Sequence, residues 1–363
     1  MFCKEKVVKT VDSNKMHSLI QIFLPIFIGA ITSVIFFQCG LFEDSIQYSE
    51  IYQIIFQSEV NGNKDIYQIN SDGTDLRQLT FDLGIDADPQ WSPEGNKFVF
   101  TSNRNGNWDI YIYDLNTENI TQLSTFTAND VEPDWSPDGN QIVFQSDRSG
   151  NNDIYLIDIE THETVQLTEN TFADLYPVWS PEGSQIAFIS YRDGNAELYI
   201  MNAIESGNKI RLTHSDRMEL EPTWSPDGSH LAFSTHRGND EDIYTIKTDG
   251  SDTKRLSQTP SDEWCPVWSS DGELVFYFTY FDRKIYKANS DGIESDIFGK
   301  FEETALDLSI SNNGKMLIFS SDYHGPSDLF MAETETGKLT RITNSFNIIR
   351  YPKIRPNMVN SID

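Results

Sequence analysis

The sequence predicts an all-β chain folded as a seven-bladed β-propeller behind an N-terminal membrane helix, and three observations carry that expectation. A Trp-Ser-Pro-(Asp/Glu)-Gly motif recurs with a nearly constant period. Each copy is followed by the same succession of short apolar runs and polar turns. The two ends of the chain fall in the middle of a repeat and complement each other. A period between 20 and 50 residues marks solenoids, propellers and arrays, and runs of β-branched and aromatic residues between turns select the propeller.

The motif stands at Trp91, Trp135, Trp179 and Trp224, with Trp-Ser-Ser-Asp-Gly at Trp268, at intervals of 44, 44, 45 and 44 residues. Degenerate copies follow at Ile310-Ser311-Asn312-Asn313-Gly314 and Ile354-Arg355-Pro356-Asn357. Proline presets a turn dihedral, the acidic side chain accepts backbone N–H groups and glycine supplies positive φ, so each copy is a hairpin between an innermost strand and the next. The second strand ends in a phenylalanine, expected at Phe56, Phe100, Phe144, Phe188, Phe233, Phe276 and Phe319. A third strand opens as Asp-Ile-Tyr or a variant, as at Asp109-Ile110-Tyr111 and Glu197-Leu198-Tyr199, and a fourth closes at Gln-Leu-Thr or Arg-Leu-Thr.

Ile51 to Thr80 lacks the innermost strand, and Arg350 to Pro356 supplies one with nothing after it. The C-terminal strand is therefore expected to close the ring by pairing into the first blade, which removes the exposed edges of a linear array. Seven blades follow, or six if one degenerate copy is not a blade. These motifs together resemble the TolB-like propeller repeat, a relative of WD repeats, over about residues 51–357. The resemblance implies a propeller that docks proteins in the cell envelope. The α/β domain that precedes the propeller in TolB has no room here, since fewer than 15 residues separate the apolar segment from the first strand.

Ser18 to Phe37 carries no charge and is long enough, as a helix, to cross the hydrocarbon core. Lysines precede it and Glu43, Asp44 and Glu50 follow, which leaves the remainder outside the cytoplasm. Cys39, in Phe36-Phe37-Gln38-Cys39-Gly40, resembles the lipidated cysteine of a bacterial lipoprotein signal, so the tether is either a retained helix or a lipid on Cys39. The expected organisation is a basic cytoplasmic tail over 1–17, an anchor or signal over 18–38, a linker over 39–50, the propeller over 51–357 and a tail over 358–363. A formal charge of −29 disfavours nucleic acid and favours a basic partner protein, a cation or a neutral glycan. With Cys3 and Cys39 at or before the membrane, only Cys265 lies in the propeller, so packing alone must stabilise it.

Five residues before each motif tryptophan stands a carboxylate: Asp86, Asp130, Asp174, Glu219 and Glu263. Equivalent positions form a ring, expected near one mouth of the central channel, where it would contact a basic partner or serve the turn before the strand. The loop arginines Arg104, Arg148, Arg192 and Arg237 recur at one offset and are expected to pair with Asp109, Asp153, Glu197 and Asp242, five residues on. Asn70–Asp75 and Lys247–Asp252 read as hairpin turns, without the terminal acid of a calcium loop. His162, His214, His230, His236 and His324 share no metal-ligand spacing, and no cofactor motif or catalytic constellation is visible. The expected function is a monomeric, membrane-tethered interaction scaffold for an envelope protein, without enzymatic activity. The alternatives are a glycan-binding module, with Trp108 and Trp264 as its aromatic contacts, or a polyuronide-type lyase.

Overall fold

The computed structural model describes residues 50–356 except 204–206, 237–240, 258, 281, 300–304, 323–324 and 345–346. The expected N-terminal membrane segment, Cys39, Arg237 and His324 lie outside the described residues. Within them, 28 strands form seven four-stranded antiparallel sheets. In blades 2 to 7 the strands run in sequence order from the inner strand a to the outer strand d. Blade 1 takes its inner strand, Ile348–Ile354, from the C-terminus and its others, Gln53–Val60, Asn63–Asn70 and Arg77–Gln78, from the N-terminus. The seven inner strands touch one another in sequence around a closed ring, so the expected closure is the one observed.

The repeat motif builds the a–b turn of each blade. In blade 3 the Gly139 N–H donates to Ser136 O at 2.9 Å, and Ser136 Oγ donates to Asp138 Oδ1 at 2.6 Å, which also accepts the Asn140 N–H. Gly139 sits at φ 72°, where a Cβ is strained. The equivalent Asp227, fed by Ser225 and by Ser229, is pulled down to about 2. The motif tryptophan then ties blade to blade. In four of the five copies its Nε1 donates to the inner strand of the preceding blade, from Trp91 to Lys353 O at 3.0 Å, from Trp135 to Gln90 O, from Trp224 to Val178 O and from Trp268 to Thr223 O, while Trp179 Nε1 has no hydrogen-bond partner among the described residues.

Each blade carries a stacked aromatic pair across strands b and c, Phe56/Tyr67, Phe100/Tyr111, Phe144/Tyr155, Phe188/Tyr199, Phe233/Tyr244, Tyr277/Tyr286 and Phe319/Phe330, and blade 2 adds a second, Phe98/Tyr113. Directly opposed residues on a sheet face pack best when broad and flat, which fixes the register. In blade 6 the place in this series belongs to Tyr277, not to Phe276 as the sequence pattern suggested; Phe276 is buried on the other face of the strand, against Phe298. Strand side chains alternate faces, so an offset of one residue exchanges one packing layer for another.

Candidate functional site

Two rings of side chains start from neighbouring positions on the inner strands and end in different environments. The first is the ring of Asp86, Asp130, Asp174, Glu219 and Glu263, which opens each strand a. All five are fully buried. In blades 2 to 4 the b–c loop turns its arginine back onto this carboxylate, and one Nη2 reaches both oxygens: Arg104 to Asp86 at 2.9 and 3.0 Å, Arg148 to Asp130 at 2.8 Å twice, Arg192 to Asp174 at 3.1 and 3.0 Å. Each Nε donates to the serine ending strand b, Ser102, Ser146 or Ser190. Each guanidinium lies over the blade's aromatic pair, 4.6, 4.5 and 4.8 Å from the centroids of Tyr111, Tyr155 and Tyr199. Gly84 permits the approach of the neighbouring connector, since a Cβ there would lie 2.6 Å from the Arg104 backbone.

The arginines thus pair 18 residues upstream, not with the carboxylates five residues downstream. Those open strand c and are taken by the end of strand d. Asp109 accepts from Gln122, Asp153 from Gln166 and Thr168, Glu197 from Arg211 and Asp242 from Arg255 and Ser257. The Gln/Arg-Leu-Thr motif therefore locks strand d to strand c. In blade 6, Phe281 occupies the arginine's sequence position. Glu263 there accepts from Thr259, its Oε2 has no hydrogen-bond partner among the described residues, and burial pushes it up to about 7.

The second ring lies two residues further along each inner strand, at the residue before the proline or its equivalent: Asp88, Glu132, Tyr176, Glu221, Cys265, Asp307 and Tyr351. All seven adopt φ between 51° and 53°. In blades 2 to 7 the ladder to strand b shifts register at this point, as a β-bulge that turns the residue out of the sheet. Positive φ is costly for residues other than glycine, and its recurrence in every blade makes it a property of the fold. The bulges aim these side chains at the common axis. Electrostatic coupling links Asp88 to Asp307, Glu132 to Asp88 and Glu221, and Tyr351 to Asp88, Asp307 and Glu132, and of these Asp88–Asp307, Glu132–Glu221 and Tyr351–Glu132 join blades that are not adjacent in the ring.

The channel so lined holds Asp88, Glu132, Asp134, Glu221 and Asp307; Lys353 acts on several of them, Lys64 on Asp88, and Arg350 Nε lies 4.0 Å from Asp307. Enclosure by protein desolvates groups that still reach channel water. Burial and mutual repulsion push Glu132 up to about 7, and burial raises Asp88 and Glu221. Burial, with Glu221 and Asp307 beside it, raises the Cys265 thiol well above its ordinary value. Sequence reasoning missed this ring because its residue types vary; the signal was positional, the residue before Pro-x-Trp. Trp108 is half-buried on the b–c loop of blade 2, whereas Trp264 is half-buried in the inner strand of blade 6, packed against apolar residues of blades 6 and 7. Among the described residues, no group of three or more His, Cys, Asp or Glu is arranged to hold a metal ion, and no helix is long and apolar enough to cross a membrane.

A closed seven-bladed disc with an acidic axial channel is the class that fold and site define. The TolB beta propeller domain profile matches residues 104–174 and 151–353, and the chain belongs to that family. A search of curated protein sequences finds no match. Among solved structures, TolB from Acinetobacter baumannii is similar at 19% identity over 84% of this chain and 67% of that one, with a TM-score of 0.58. An oligogalacturonate lyase from Vibrio parahaemolyticus matches at 18% identity over 78% of this chain and 87% of that one, with a TM-score of 0.64. A puromycin-hydrolyzing peptidase of Mycobacterium tuberculosis matches at 13% identity and a TM-score of 0.66, over 82% of this chain and 52% of that one. At these identities the likeness is one of fold.

Proposed function

We propose that this chain is a membrane-tethered, extracytoplasmic propeller that serves as a protein-interaction scaffold, with the mouth of its axial channel as the docking point for a basic segment of an envelope protein. The observation that carries the reading is the channel ring: five carboxylates crowded around one axis, with Lys353, Arg350 and Lys64 the cations that reach them among the described residues. A low-dielectric channel lined by one sign of charge concentrates the opposite charge at its mouth. An entering lysine or arginine supplies what the ring lacks, and its arrival expels the protons that Glu132 holds near neutral pH.

The docking face in this reading is the one where the inner strands begin. Its d–a connectors expose Phe81, Leu83, Phe126, Phe172 and Met218, large apolar side chains suited to anchoring a partner around the channel mouth. Asp86, Asp130, Asp174, Glu219 and Glu263 would then act behind the surface, three of them by fixing the loop arginines that support this face. The scaffold reading goes with a non-catalytic role, in which the 2.7 Å contact of Ser229 Oγ with His230 Nδ1 belongs to the a–b turn of blade 5, where Ser229 also donates to Asp227.

The test is capture from solubilised envelopes by the full-length protein. A variant carrying Asp88→Asn, Glu132→Gln, Glu221→Gln and Asp307→Asn is expected to lose a partner that the native protein holds stoichiometrically. Equal capture by the two would remove the channel from the account. Saccharide retention lost in Trp108→Ala would favour glycan binding, and release of unsaturated uronide would favour a lyase.

A further inference from the structure

We propose that the propeller takes up protons at some of its blade seams and not at others, and that one residue of strand d decides this for the carboxylate that opens strand c. The residue stands two places before the closing threonine or serine. It is Gln78, Gln122 or Gln166 in blades 1 to 3 and Arg211, Arg255 or Arg341 in blades 4, 5 and 7. Blade 6 lies outside the comparison, because Lys284 replaces the carboxylate there. The division is independent of the channel reading.

The carboxylate is buried in all six blades, and the strand d residue donates to it. In blade 1, Asp65 accepts from Gln78 Nε2 at 3.1 Å, Asn63 Nδ2 at 3.0 Å and Thr80 Oγ1 at 3.3 Å, all neutral donors. It faces Asp86 of blade 2, and Arg104, already held on Asp86, is the cation within reach. The seam thus sets two buried carboxylates against one guanidinium. Between blades 2 and 3 the arrangement repeats: Asp109 accepts from Gln122, Asn107 and Ser124 and faces Asp130, which Arg148 holds. Between blades 3 and 4, Asp153 accepts from Ser149, Gln166 and Thr168 and faces Asp174, on which both Arg192 and Lys209 act. Where strand d carries arginine, the carboxylate has a cation of its own. Arg211 Nη2 reaches Glu197 at 2.8 Å, Arg255 Nη2 reaches Asp242 at 2.6 Å, and Arg341 pairs with Asp328.

Two like charges beside one cation in a dry seam favour a proton on the carboxylate that lacks the cation. The hydroxyl of Thr80, Ser124 or Thr168 can accept as well as donate, so it can receive that proton in a hydrogen bond. Burial, then Asp86, pushes Asp65 up to about 6; burial, with Asp130 adding to it, pushes Asp109 up to about 6, and burial raises Asp153 in the same direction. The other titratable neighbour is the tyrosine two residues on, Tyr67, Tyr111 or Tyr155, which burial keeps neutral. Since the ordinary value is near 3.8, the stability these groups contribute is full below that pH and is lost as pH rises through about 6. The seam between blades 5 and 6 reaches the same excess by another route: Arg255 serves Asp242, and Glu263 is the group left without an arginine among the described residues. The carboxylates also root the connectors of the docking face. Thr80 Oγ1, on Asp65, accepts the Ile66 N–H at 2.9 Å, and Asn63 Nδ2 donates both to Asp65 and to Asp82 O. A second charge in the seam therefore loosens strand d and the connector that follows it.

The experiment is residue-resolved hydrogen exchange of the full-length protein in detergent, near pH 5 and near pH 7.5, with each rate divided by its intrinsic value. The reporters are the strand d amides that bond to strand c: Leu79 to Ile66 O, Leu123 to Ile110 O and, in blade 7, Ile342 to Leu329 O. At Leu79 and Leu123 the opening equilibrium should be about tenfold larger at the higher pH, as linkage requires of a group moved from 3.8 to about 6, and Ile342 should not respond. Gln122→Arg, which installs the residue of blade 4, should abolish the response at Leu123 and leave that at Leu79. Arg341→Gln, the reverse exchange, should create one at Ile342. Because the two substitutions run in opposite directions, misfolding of one leaves the other decisive. An equal pH response at all three amides, a response at Leu123 that persists in folded Gln122→Arg, or none at Ile342 in folded Arg341→Gln would each overturn the proposal.

Discussion

Asp130 and Glu132 are two residues apart on one strand, and they show what separates a structural carboxylate from an available one. Asp130 is fully buried and receives two hydrogen bonds at 2.8 Å from an arginine that is itself stacked on an aromatic ring. Glu132 stands on a bulge at φ 53°, faces channel water and meets carboxylates from other blades. One backbone event divides them. The bulge turns the second residue out of the sheet, so a single hexapeptide, Asp130–Trp135, serves both interblade structure and the channel wall.

The largest expected effect tests the structural half of that contrast. Asp130→Ala strands the Arg148 guanidinium in a largely dry site, and we expect a loss of about 3 kcal/mol in denaturant unfolding. Glu132→Ala, two residues away, should leave stability unchanged or raise it, because it relieves repulsion. Equal losses from both would erase the distinction between the rings.

A smaller effect comes from repairing the ring where it is incomplete. Phe281→Arg restores to blade 6 the residue that blades 2 to 4 have at that sequence position, 18 residues after a Glu263 whose Oε2 has no hydrogen-bond partner among the described residues. A gain of about 1 kcal/mol is expected, together with a fall of the Glu263 pKa from its elevated value, read by carboxyl NMR titration.

The pH dependence sharpens the channel half. Glu132 is ordinarily near 4.5 and is pushed to about 7 in the folded protein, so the folded state binds its proton more tightly. Stability from this group is full below pH 4.5, declines as pH rises toward 7 and levels above it. Glu132→Gln should flatten that decline in thermal unfolding scans across the window. The smallest effect concerns Cys265, whose thiol is held protonated by burial with Glu221 and Asp307 nearby; its reaction with a maleimide at pH 8 should be much slower than that of a free cysteine.

The repeat, its seven copies and the closing strand were legible because each rests on residue identity at fixed spacing: Trp91 through Trp268, the glycines of the a–b turns, the Gln/Arg-Leu-Thr ends. The arginine partners were not legible. Arg148 has a carboxylate five residues downstream at Asp153 and another 18 upstream at Asp130, and separation along the chain favours the nearer. Sheet geometry decides otherwise, since strands a and b lie side by side while the end of strand d already occupies Asp153. The channel ring was hidden for a related reason. Asp, Glu, Tyr and Cys alternate at its positions, and what repeats there is a backbone dihedral.

The most direct test of the channel as a docking point is calorimetric titration, at pH 7 in two buffers of different ionisation enthalpy, of a lysine-rich peptide into the full-length protein and into the Asp88→Asn, Glu132→Gln, Glu221→Gln, Asp307→Asn variant. The account predicts salt-sensitive binding with net proton release to the native protein, lost in a variant that unfolds at the native temperature or above. Undiminished binding to that folded variant, or binding without proton release, would contradict it.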